Sequence, residues 1–194
     1  MANNSAVLRV LIFAMLYCTF GKIALGTTIQ IDPSVLSVTQ SQAFSLDVAI
    51  TDVVDLYAYQ FDVSFDPALM QASDITEGAF LSGGGATNFF AGLIDNTAGT
   101  IMFTADTLQG FVSGVTGSGI LASINFNALD LGSSAIALSN VQLLDSNLDD
   151  ISASITSIGD GSITVSQQVP EIGILWLVAS GLPLFLGFAG RCQR

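Results

Sequence analysis

The chain has 194 residues, no histidine and a formal net charge of −12, a length that suits one domain of ordinary size with appended ends. Its only basic residues are Arg9, Lys22, Arg191 and Arg194, so Thr27 to Val169 carries carboxylates and no side-chain cation. Nucleic acid is thereby excluded as a partner, since phosphate contacts need cations, and internal salt bridges are excluded with it.

Met1 to Gly26 reads as a secretory signal peptide. Arg9 precedes the apolar run Val10 to Phe20, and Ala24-Leu25-Gly26 places small residues where signal peptidase reads, predicting a mature start at Thr27. The two cysteines, Cys18 and Cys192, lie in the apolar ends, so the middle can form no disulfide, thiolate metal site or cysteine nucleophile.

Residues 27–166 form a series of short strands. Thr28 to Asp32 begins it and Pro33 interrupts; Phe44 to Ile50 alternates cleanly. The organising stretch follows, Leu56 to Pro67. Tyr57, Tyr59, Phe61, Val63 and Phe65 fall on one side of an extended strand, and Ala58, Gln60, Asp62 and Ser64 on the other. That period of two predicts a half-buried strand with the aromatic side inward. Asp66-Pro67 ends it, because proline cannot donate to a ladder. Further strands are expected at Leu69 to Thr76, Phe89 to Ile94, Thr100 to Asp106, Ile120 to Leu129, Ser134 to Leu144, Ile151 to Thr156 and Gly161 to Val165. Asp95 to Gly99 supplies a hairpin turn, and Ser82 to Asn88 and Gly110 to Gly119 supply loops. About nine strands with turn signals every ten residues or so, and no amphipathic helix, predict an all-β sandwich.

Gln167 to Glu171 is a linker. Ile172 to Gly190 is an apolar stretch without charge, long enough for a transmembrane helix, and residues 191–194 form a basic end that stays cytoplasmic. The domain is then expected outside the inner membrane.

The tail resembles the PEP-CTERM sorting signal of Gram-negative bacteria, a Val-Pro-Glu-Pro motif, an apolar helix and a terminal basic cluster. Val169, Pro170 and Glu171 match, and Ile172 replaces the second proline. The resemblance implies processing near Pro170 and Glu171 by an exosortase and release to the cell surface or extracellular matrix. Residues 29–165 resemble a cohesin domain. The stretches that carry this are Leu56 to Pro67, Asp95 to Ala105, Gly119 to Phe126, Asp145 to Asn147 and Gly161 to Val165, in that order and spacing. The resemblance implies a nine-stranded jelly-roll sandwich related to carbohydrate-binding modules, and a dockerin-like protein partner. In the family much of that contact uses the outward side of the strand ending in the Asp-Pro turn. Aligned back from Asp66-Pro67, the positions that are polar in cellulosomal members fall at Ala58 and Gln60.

Catalysis has little to work with. Serine, cysteine and Schiff-base routes lack their His, Cys or Lys. Asp62 and Asp106, on neighbouring strands, are a carboxylate pair of the kind that hydrolyses glycosides, without the partners that would set their pKa values apart. A non-enzyme is expected. Asp145, Asn147, Asp149 and Asp150 place oxygens as an irregular calcium loop would, although Asp150 stands where an EF-hand needs glycine and Thr156 where it needs glutamate; no other cofactor is indicated. The outward face around Gln60, Asp62, Thr104 and Asp106 is the expected partner-binding surface. The alternative is direct binding of extracellular polysaccharide, for which Phe89, Phe90 and Phe111 beside the glycine-rich loops are the available aromatics.

Overall fold

The computed structural model describes residues 26–167. The expected signal peptide, with Ala24, and the sorting motif and apolar tail, with Pro170 and Glu171, lie outside them. Among the described residues no helix is long and apolar enough to cross a membrane.

Eleven strands make two sheets. They are β1 (Thr27–Asp32), β2 (Val35–Thr39), β3 (Ala43–Leu56), β4 (Ala58–Ser64), β5 (Met70–Glu77), β6 (Leu93–Asp95), β7 (Thr100–Thr107), β8 (Val115–Ala128), β9 (Gly132–Leu144), β10 (Ile155–Gly159) and β11 (Gly161–Ser166). One sheet has the order β10-β1-β3-β8-β5 and the other β2-β11-β9-β4-β7-β6. Among the described residues the helical content is one turn at Ala79–Ser82 and a 3-10 turn at Ser152–Ser154. The all-β sandwich expected from the alternation is therefore present.

One strand, β2, has no expected counterpart. Val35–Thr39, unassigned by the sequence reading after Pro33, continues β1 into the opposite sheet. The β1 strand pairs in parallel with β10, and β2 in parallel with β11. Both ends of the described residues thus switch sheets, at Pro33-Ser34 and at Asp160, and their strands run side by side. Three other expectations shift, one being the strand expected at Ile151 to Thr156, where a 3-10 turn at Ser152–Ser154 delays β10 to Ile155–Gly159. Phe89 to Ile94 is not a continuous strand; only Phe90 bridges to Ala105, and β6 follows after a kink at Gly92, φ 83°. The loop expected to run to Gly119 ends earlier, since β8 already starts at Val115.

The inward side of β4 is as the alternation requires. Tyr59, Phe61, Val63 and Phe65 are buried. Tyr59 and Phe61 stack at 5.9 Å, and Phe65 meets Phe126 of β8 edge-on at 5.3 Å, joining the two sheets. Each such side chain withdrawn from water contributes roughly 1.5–3 kcal/mol. Gly99 closes the β6–β7 hairpin at φ 70°, and a Cβ there would lie 2.2 Å from the Phe65 carbonyl. That close approach lets Phe65 N–H bond to the Gly99 carbonyl at 2.8 Å, fixing the turn after β4.

Candidate functional site: the outer face of β9, β4 and β7

The β4 strand lies between β9 and β7, antiparallel to both. Its outward residues are Ala58, Gln60 and Asp62. Gln60 stands opposite Gln142 of β9 and Ala105 of β7. The free edge of β7 is covered by the segment before β6, where Phe90 exchanges backbone hydrogen bonds with Ala105 at 2.8 and 3.0 Å.

Both neighbours of β4 carry a bulge, opposite Asp62 on β7 and opposite Phe61 on β9. On β7 the pairing slips between Phe61 and Val63, and Phe103 adopts φ 59°. On β9 it slips between Gln60 and Asp62, and Asn140 adopts φ 50°. A bulge leaves backbone groups without ladder partners and re-aims side chains. The carboxylate of Asp62 holds both: Oδ1 accepts the Phe103 N–H at 2.7 Å and Oδ2 accepts from the Asn140 side-chain amide at 2.6 Å.

The β7 bulge also corrects the expected site. Unbroken alternation from buried Ile101 would send Thr104 and Asp106 outward. The extra residue at Phe103 reverses the phase, because a slip of one residue exchanges the two faces. Thr104 and Asp106 are accordingly buried in the interior, and Phe103, Ala105 and Thr107 face out beside Gln60 and Asp62. Asp62 and Asp106 therefore lie on opposite faces of the sheet and do not form the pair a glycosidase would use.

Phe103 is 52 % exposed and Phe90, 46 % exposed, tilts against it at 5.9 Å. Met102 is also exposed. Two hollows lie beside the Phe103 ring. One, about 300 Å³, is lined by Gln60, Asn88, Phe90, Ala105 and Gln142; the other, about 470 Å³, by Gln60, Asp62, Asn140 and Ser152. The face is thus a shallow amide-rich surface with a central aromatic ridge. Of the other aromatics near loops, Phe89 packs against the core and Phe111 is fully exposed.

The loop expected to hold calcium is organised differently. Asp145 Oδ1 accepts the backbone N–H groups of Asn147 and Asp149, at 2.8 and 2.9 Å. Asp150 Oδ1 accepts the Ser152 N–H, and hydrogen bonds from Ser152 hold its carboxyl below the usual range. The carboxylates cap turns instead of converging, and among the described residues no group of three or more His, Cys, Asp or Glu is placed to hold a metal ion.

Fold and face together define the class: a two-sheet β-sandwich with one broad sheet face uncovered. The family follows from comparison. The profile of the Cohesin domain matches residues 29–165, and the chain belongs to that family. Solved structures of the same fold include a non-cellulosomal cohesin from the hyperthermophilic archaeon Archaeoglobus fulgidus, 14% identical, covering 74% of this chain and 93% of that one with a TM-score of 0.57. The third cohesin of ScaC from Acetivibrio cellulolyticus, solved with the ScaB dockerin, is 19% identical over 72% of this chain and 98% of its own, with a TM-score of 0.58. The cohesin CaCohA2 from Clostridium acetobutylicum is 17% identical over 75% and 94%, at 0.57. A search of curated proteins gives no match.

Proposed function

We propose that this chain is an exported, non-catalytic recognition module that binds a protein partner of the dockerin kind through the outer face of β9, β4 and β7. The observation that carries the reading is Phe103, an aromatic ring raised from the centre of an uncovered sheet face by a bulge and flanked by two hollows. Exposed aromatics in such a setting are the usual anchors of protein interfaces. Family membership and the dockerin-bound relatives support the same class of partner. Gln60 and Gln142 would supply hydrogen bonds around the anchor, and Asp62 would act through Phe103. Ala58 leaves no side-chain hydrogen bond at the position polar in cellulosomal members, so the contact would differ from theirs.

Export, membrane retention by Ile172 to Gly190 and exosortase processing near Pro170-Glu171 belong to this proposal on sequence grounds, the setting being the cell surface or the extracellular polysaccharide matrix. The first strand opening at Thr27, directly after the expected cleavage site at Gly26, supports the N-terminal part. A second reading, direct polysaccharide binding, is favoured by Phe90 and Phe103 standing beside Gln60, Asn88 and Gln142, since aromatic rings and side-chain amides are common sugar contacts.

The test is capture from the source organism's extracellular fraction by the tagged chain and by its Phe103→Ala variant, eluted with and without EDTA. A stoichiometric protein lost in the variant supports the proposal, and release by EDTA marks it as calcium-folded. Retained polysaccharide without protein supports the second reading. Retention of neither, or of the same protein by the variant, overturns the assignment of the face.

A further inference from the structure

Glu77 closes β5 in one sheet, and Asp106 lies near the end of β7 in the other. Their carboxyl groups come within hydrogen-bonding reach of each other at that end of the sandwich. The two are differently placed. Asp106 is 2 % exposed. Its Oδ1 accepts the Thr107 N–H at 2.8 Å, while Oδ2 is buried without any hydrogen-bond partner, alone among the side-chain oxygens and nitrogens of the described residues. Glu77 is exposed, and its Oε1 accepts from the Thr87 hydroxyl at 2.6 Å.

Buried carboxylates normally face a cation or several donors, because desolvation penalises an unpaired charge. Here no side chain can serve, since residues 27–169 contain no Lys, Arg or His. We propose that Glu77 and Asp106 together bind a divalent cation of the hard class, calcium foremost, which clips β5 to β7 across the end of the sandwich. The donors are all oxygens, from the two carboxylates and the Thr87 hydroxyl, with water filling the rest of the shell; such a set selects calcium or magnesium over softer metals. Exposed Glu77 gives the ion a path from solvent, and Oδ2 of Asp106, which no N–H or O–H donor meets, is left to share the ion with the Glu77 carboxyl beside it. Burial, with the charge of Glu77 adding to it, pushes Asp106 up to about 7, in keeping with a group that lacks its counter-ion. The site shares no residue with the Asp145 loop, and Asp106 also borders the hollow between Phe90 and Phe103.

Calorimetric titration of the full chain with calcium chloride tests this, using Glu77→Gln as the deciding variant because it changes a surface group and leaves the core intact. One calcium should bind with a dissociation constant on the order of 10⁻⁴–10⁻³ M, the range of sites with few carboxylates. Glu77→Gln should weaken it at least about tenfold and Asp145→Asn should leave it unchanged. At calcium about ten times the dissociation constant, the unfolding equilibrium constant of the unmodified chain should fall roughly 11-fold, and that of Glu77→Gln by no more than about twofold. No binding up to about 10 mM calcium overturns the proposal. Equal affinity in Glu77→Gln, or loss of binding in Asp145→Asn alone, overturns it as well.

Discussion

Asp62 and Asn140 meet at 2.6 Å across the β4–β9 ladder, and the other oxygen of the same carboxylate takes the Phe103 N–H on β7. One carboxylate thus secures two bulges on two different strands. Asp62→Ala should leave the Phe103 N–H and the Asn140 amide to water and loosen both bulges. A loss of about 1–3 kcal/mol is expected, the range for hydrogen bonds to a charged group, read as a lower urea midpoint at unchanged slope. Asp62→Asn should recover part of it, since the amide oxygen can still accept one of the two bonds.

Phe103→Ala removes the ridge without touching the core. Partner affinity should drop by about 2 kcal/mol or more, roughly 30-fold, while the melting temperature stays within about 2 °C. The combination Asp62→Ala with Phe103→Ala should bind little worse than Phe103→Ala alone, because Asp62 acts through the placement of that ring.

Tyr59 shows how tightly the inner side of β4 is specified. Its hydroxyl donates to the Leu121 carbonyl across the sandwich. Burial holds the phenol well above its ordinary pKa, with the charges of Asp106 and Glu77 adding to the shift. Tyr59→Phe removes one of the two hydrogen bonds to that carbonyl, the Gly78 N–H keeping the other at 2.9 Å, and should cost about 0.5–1.5 kcal/mol in chemical denaturation.

Without added metal the pH profile of stability should have two falling limbs. Asp106 is raised in the folded state, to about 7, by burial first and Glu77 second; the groups facing it are Glu77 and the Tyr59 phenol. The folded chain then holds a proton that the unfolded chain releases near pH 4, so this contribution is present at acid pH and is lost as pH rises towards 7. The loss should be on the order of 2 kcal/mol, reduced from the full shift because Glu77 is open to water. Asp55, Asp95 and Asp150 work in the opposite sense. Hydrogen bonds, from Ser146, from the backbone of Ala98 and Thr97, and from Ser152, lower their pKa values. Their contributions are present above the ordinary carboxylate value and lost as pH falls below it. Thermal melts from about pH 3 to 8 should therefore peak near pH 4–5.

The strand from Tyr57 to Phe65 was legible because one buried face imposes a period of two and nothing interrupts it. The Gly99 hairpin and the Asp66-Pro67 stop were legible for equally local reasons. The orientation of Thr104 and Asp106 was not. A bulge at Phe103, a non-glycine residue held at positive φ by the side chain of Asp62 on the next strand, leaves no local signature. The strand Val35–Thr39 was hidden for a related reason: its pairing partner, β11, lies more than a hundred residues away. The aromatic of the open face was likewise missed. Phe103 sits within an alternating strand that promises it to the core, and only the tertiary bond from Asp62 turns it out.

The parallel pairing of the two chain ends carries a mechanical consequence. Thr27 pairs with Ile155 at the start of one ladder, and Ser166 pairs with Thr39 at the finish of the other. The described residues therefore begin and finish at opposite poles of the sandwich. A pull between those poles slides β1 along β10 and β2 along β11, loading every hydrogen bond of both ladders at once instead of peeling them open one by one. A tether built this way is strongest along the line joining its own attachment points.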